Sequence, residues 1–172
     1  MHITAVSGLR AIGLDVKAVA RKRGADLPHH PLLPPPVLQL TRHWLKLGGK
    51  TPPAWSQFEM MDVSDAVPYL TALRCNPDNT FTFIFTGSAV STILSEDLTG
   101  HTVSAAEAVW GGIDWYRRCK PVADVADIQV LGGAINPAHM SPIEFIAADF
   151  PFMDDAGGAV RYVAGVTVAR LN

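Results

Sequence analysis

Residues 81–90, FTFIFTGSAV, decide how the rest of the chain is interpreted. Apolar and polar side chains alternate here, which predicts a β-strand with Ile84 on one face and three phenylalanines on the other. The phenylalanines are Phe81, Phe83 and Phe85. A short helix is predicted directly after the strand, at residues 88–94.

A second strand is predicted upstream, at residues 67–75, and the turn sequence Asn76-Pro77-Asp78-Asn79 joins the two strands into an antiparallel hairpin. Downstream, a second helix is predicted at residues 105–119, broken near Gly111 and Gly112. Three more strands are predicted after it, at 125–131, 143–152 and 160–169. This order predicts an α+β fold with a five-stranded antiparallel sheet and helices across one face.

Five prolines lie within residues 28–36 and predict an extended linker, because proline cannot occupy the interior of a helix or a central strand. We therefore expect a leader and proline-rich linker at 1–36 and the folded domain at 37–172. The domain begins with a flanking helix at 37–47, whose apolar side chains recur at helical spacing and include Trp44.

Composition limits the classes of function. The chain has 172 residues, of which 48% are hydrophobic and 17% charged, with a formal net charge of −2, which fits one domain with a real core. This charge provides no electrostatic basis for nucleic-acid binding. We predict no transmembrane segment and no secretory signal, and hence a cytoplasmic protein, in which Cys75 and Cys119 are reduced thiols.

Catalytic and metal-binding motifs are not recognisable. The segment Gly87–Ser91 lacks the second glycine of a nucleophile elbow, and no two histidines have the helical spacing of a metal pair. We expect no catalytic residue, no metal and no cofactor. His101 lies nearest to the pocket proposed below and is a candidate haem ligand, although a hydrogen-bonding or surface role is the simpler interpretation. His43, next to Trp44 on the flanking helix, is interpreted as a surface residue.

The aromatic side chains indicate a possible pocket between the sheet and the helices. Its predicted lining consists of Phe81, Phe83, Phe85, Leu98, Trp110 and Tyr116. Such an apolar space suits a small-molecule ligand. The alternative is a hydrophobic core that these side chains fill themselves.

The order of elements and several local motifs resemble the PAS superfamily, and more closely a bacterial family of single-domain PAS-like proteins. Five segments carry the resemblance: Trp44 with Pro53 and Trp55, Phe58–Leu70, Phe81–Val90, Asp97–Gly100, and Phe150–Asp155 with Gly157 and Gly158. The cysteine motif of flavin-binding PAS photosensors is absent. Ile84 stands where the family often has a charged residue.

The resemblance implies a sensory role in signal transduction: binding a small molecule, docking a partner signalling protein, or both, without an output domain. It also implies a homodimer, for which Trp44 and Ile84 are the predicted interface residues. The alternative function is a small enzyme or ligand carrier on a cupped α+β sheet. Two or more titratable side chains converging in the pocket would favour that alternative.

Overall fold

One large antiparallel sheet organises the molecule, as seen in a computed structural model that describes residues 9–11, 17, 33–48, 50–136 and 141–170. Its seven strands are β1 (Arg10–Ala11), β2 (Leu70–Cys75), β3 (Phe81–Thr86), β4 (Thr102–Val103), β7 (Gln129–Ile135), β8 (Ile143–Met153) and β9 (Val160–Ala169). The two remaining strands, β5 (Val109–Trp110) and β6 (Ile113–Asp114), form a separate hairpin. The sheet order is β1-β7-β8-β9-β2-β3-β4. The sheet therefore has seven strands among the described residues, not the predicted five: the five long strands are neighbours, and the two-residue strands β1 and β4 extend the two edges.

Three helices lie among the described residues: α1 (Pro35–Leu47), α2 (Ser88–Leu94) and α3 (Trp115–Val125). Short 3-10 turns at Trp55–Gln57, Met60–Val63 and Val67–Tyr69 connect α1 to the sheet. No helix of the described residues has the length and apolar character needed to cross a membrane.

Both faces of the sheet are covered. Along β8, Ile146 and Ala148 pack with α1, whereas Phe145 and Ala147 pack with α2 and α3. We call these the α1 face and the helix-pair face. The predicted α+β fold with an antiparallel sheet is confirmed, but helices do not lie on one face alone, because the apolar stripe of α1 is buried against the other.

The predicted strands are found with two shifts. β3 and β9 have the expected bounds, and β2 begins only at Leu70 because a 3-10 turn that contains Pro68 precedes it. β7 was expected at 125–131 but runs from Gln129 to Ile135. The cause is α3, which extends to Val125 and ends at Ala126 in the left-handed region, φ 57°.

The helix predicted at 105–119 is wrong in its first half. Gly111 and Gly112 take φ values of 58° and 83° and form the turn of the β5–β6 hairpin, a conformation that glycine adopts without a Cβ clash. α3 begins only after Asp114, whose carboxylate accepts the backbone N–H of Arg117 at 2.8 Å and caps the helix.

The boundary of the proline-rich linker also moves. Pro35 and Pro36 are the first two residues of α1, where a helix needs no N–H donor, so the helix begins before the predicted Val37. From the leader, β1 pairs with β7, Arg10 opposite Gly132. Most of the leader lies outside the described residues.

Candidate binding site

Five of the six predicted pocket residues are found on the helix-pair face. Phe81, Phe83 and Leu98 are buried in its core, and the Phe83 ring meets the edge of Trp115 with centroids 4.9 Å apart. Trp110 and Tyr116 are half-buried at the margin. The side chains therefore pack against one another, as expected of a core that they fill themselves.

Phe85 does not belong to this group. In the pairing of β2 with β3, Ala72 lies opposite Phe85 but Leu73 opposite Phe83, so Ile84 is the extra residue of a β-bulge. The bulge reverses the alternation, and Phe85 packs on the α1 face. The prediction that three phenylalanines share one face was therefore wrong for Phe85.

The two predicted interface residues have opposite surroundings. Trp44 is only 1% exposed, and its indole N–H donates to the Pro151 carbonyl at 2.8 Å, so it anchors α1 and is not an available surface. Its assignment to an interface is wrong. Ile84 is exposed, because the bulge turns it outward. A homodimer through Ile84 stays a prediction.

A buried ion pair crosses the helix-pair face. Arg118 of α3 donates from Nε and Nη2 to the Asp149 carboxylate at 2.7–3.0 Å, and from Nη1 to Thr167 Oγ1 at 2.9 Å. The two charged side chains are 0% and 2% exposed. Gly165 makes room for them, because a Cβ there would lie 2.4 Å from Asp149 Oδ1.

Sequence reasoning missed this pair, although its signal was visible: Asp149 interrupts the longest apolar strand of the chain. Two titratable groups do converge in the interior, which is the feature that would favour an enzyme. The pair is closed to solvent, however, and each charge is matched by the other. Its geometry is that of a structural anchor between α3 and the sheet.

Other candidates for chemistry remain apart. Among the described residues, no three His, Cys, Asp or Glu side chains come together as metal ligands. His101 donates from Nδ1 to the Leu98 carbonyl at 3.1 Å and packs on the Trp110 ring. Burial raises the pKa of Cys75 to about 11, which disfavours a reactive thiolate.

A cleft of about 490 Å³ lies between α1 and the 3-10 segment that follows it, within the size range of small-molecule sites. We call it the α1 cleft. It is lined by Pro35, Leu38, Gln39, Arg42, His43, Lys46, Asp62 and Asp65. The α-helix presents most of these residues at three- and four-residue spacing, which places them on one side of α1.

His43 is the most unusual residue of the α1 cleft. It is 8% exposed, and its Nε2 is buried without a hydrogen-bond partner in the described part of the chain. Burial lowers the pKa of His43, so the ring is neutral at physiological pH. The sequence had suggested a surface histidine. An unpaired buried nitrogen costs about 1–3 kcal/mol, which a hydrogen-bond partner would recover.

Two further clefts are less distinctive. One, beside the β2–β3 turn, includes Lys120 and Arg161, but each of these cations already has a carboxylate partner, Asp124 and Asp154. The other lies beside α2 and includes Thr86. Of the three clefts, only the α1 cleft has two features together. One is a buried ring nitrogen that lacks a hydrogen-bond partner. The other is a set of positively and negatively charged side chains that belong to none of the ion pairs among the described residues.

Comparison of the chain with protein-family models, curated proteins and solved structures finds no match. The fold and the α1 cleft are therefore the features from which a function can be inferred.

Proposed function

We propose that the chain is a non-catalytic, PAS-like regulatory domain that binds a small molecule in the α1 cleft and signals through contact with a partner protein. This keeps the role predicted from the sequence but moves the ligand from the sheet–helix pocket to the opposite side of the sheet. A cytoplasmic location is part of the proposal.

The arrangement of the sheet supports the PAS-like assignment. All five long strands belong to one antiparallel sheet. Counting only these five in chain order, the last one, β9, lies between the first one, β2, and the fourth one, β8. α2 and α3 cross one face, as the resemblance implies. The closed Arg118–Asp149 pair disfavours the alternative of an enzyme, because no substrate reaches it.

The observation that carries the ligand proposal is His43. A polar atom buried without a partner reduces stability, and such costs are typical of binding sites, where the partner arrives with the ligand. His43 lies on α1, the helix that Trp44 anchors to the sheet. Ligand binding would therefore strengthen the attachment of α1.

Native mass spectrometry of freshly purified protein, followed by thermal melts with a broad set of small metabolites, tests the proposal. We expect at least one compound to raise the melting temperature of the wild type, and the His43→Phe variant to lose this response. His43→Phe without ligand should melt at or above the wild-type temperature, because the unpaired nitrogen is gone.

His101→Phe is the matched control, since it removes a part-buried histidine outside the cleft. It should keep the ligand response. The proposal is wrong if no compound stabilises the wild type, or if every stabilising compound acts equally on His43→Phe.

A further inference from the structure

The charges of the α1 cleft are segregated on two walls. Arg42 and Lys46 lie one turn apart on α1 and form a cationic wall. Asp62 and Asp65 lie on and just after the 3-10 turn Met60–Val63 and form an acidic wall. On α1, buried Leu38 lies one turn before Arg42, and the buried ring of His43 follows Arg42 directly in the sequence.

Neither wall is neutralised by another side chain of the described residues. The ion pairs among the described residues involve none of these four charged side chains. Within each wall, like charges are near neighbours, which is unfavourable unless an opposite charge approaches. Each wall therefore offers a charge to a ligand, and the two walls offer opposite signs.

Resting on the proposed function, we infer that the ligand of the α1 cleft is a small zwitterion of the free amino acid class. Its carboxylate meets Arg42 and Lys46, and its ammonium group meets Asp62 and Asp65. Its side chain packs on Leu38, and a polar group of the ligand supplies the missing partner of His43 Nε2.

The two-wall arrangement discriminates against other charged metabolites. A dicarboxylate would place one negative charge toward Asp62 and Asp65, and a diamine would place a positive charge toward Arg42 and Lys46. Like-charge approach of this kind raises the free energy of the wrong complex, which is how charged sites obtain specificity.

Isothermal titration of the full chain with each common L-amino acid tests the inference. We expect one or a few of them to bind. The N-acetyl derivative of the best binder lacks the ammonium charge, and its primary amide lacks the carboxylate. Each should bind about tenfold more weakly or worse, the equivalent of about 1.4 kcal/mol.

Two double variants assign the walls. The Asp62→Asn/Asp65→Asn variant should bind the amino acid no more tightly than its N-acetyl derivative. The Arg42→Gln/Lys46→Gln variant should bind the amino acid no more tightly than its primary amide. Because all four side chains are exposed, these changes spare the core. Arg117→Gln/Asp124→Asn, which alters exposed charges on α3, is the matched control and should behave as the wild type.

The outcomes separate the two levels of the proposal. If a compound binds in a His43-dependent manner but amino acids do not, or bind no better than both derivatives, the zwitterion inference is wrong and the proposed function stands. If amino acids bind equally to His43→Phe and to both wall variants, the α1 cleft is not the site and both proposals fail.

Discussion

The two faces of the sheet are held by different kinds of contact. On the α1 face, α1 is attached by apolar and aromatic packing and by one hydrogen bond from Trp44 to Pro151. On the helix-pair face, α3 is attached by apolar packing as well, but also through the buried Arg118–Asp149 pair. A bidentate ion pair has one favourable geometry, whereas apolar surfaces tolerate small displacements. We therefore expect α3 to be held in one position and α1, which carries the proposed ligand site, to be the more adjustable helix.

The largest expected effect breaks the ion pair from one side. Asp149→Leu leaves Arg118 charged and unpaired in the interior, and should lower the free energy of unfolding by about 3–5 kcal/mol in urea denaturation. The double variant Arg118→Met/Asp149→Leu removes both charges and should recover most of that loss. A double variant as unstable as the single one would contradict an anchor made chiefly of paired charge.

A smaller effect, the difference in stability between two phenylalanine variants, tests the assignment of the two rings to opposite faces. Phe83→Ala should cost about 3–5 kcal/mol, because Phe83 is buried in the helix-pair core. Phe85 is half-buried on the α1 face, so Phe85→Ala should cost about 2 kcal/mol less. Equal losses in denaturant melts would mean that the bulge at Ile84 does not separate the rings.

The smallest effect is a loss of stability at alkaline pH. It concerns the helix-pair face, to which both cysteines belong. Burial raises the pKa of Cys75 from 9.0 to about 11, so the unfolded chain releases this proton first as the pH rises. The contribution of the neutral Cys75 thiol to the free energy of unfolding is fully present below pH 9.0. It falls as the pH rises toward 11, by about 1 kcal/mol after allowance for the partial exposure of Cys75. Cys75→Ser should show a shallower loss between pH 8 and pH 10; identical slopes would refute this.

Local patterns in the sequence predicted regular elements well and departures from regularity poorly. Alternation located β3, since its bounds depend on neighbouring residues alone. The bulge at Ile84 depends on how β2 pairs with β3, which alternation within one strand does not contain. The paired glycines at 111 and 112 were read as a break in a helix, although a glycine pair is also a hairpin signal.

The candidate site was predicted less well than the fold, for the same reason. His43 looked exposed because it neighbours Trp44 in the sequence, yet packing against Phe58, with ring centroids 5.8 Å apart, buries it. The pocket residues were identified as a cluster, but a sequence does not show whether a cluster leaves space at its centre. The α1 cleft depends on a contact between α1 and residues 60–65, which no periodicity reveals.

The prolines at the start of α1 set a mechanical limit on how this domain can be coupled to anything upstream. Pro34 is extended, with ψ 148°, and Pro35 and Pro36 lack the N–H groups that would bond to a preceding turn of helix. α1 therefore cannot continue upstream as one unbroken rod, and it cannot transmit torque or a piston-like stroke along a continuous helical axis. Any displacement of α1 has to be communicated sideways, through its exposed flank.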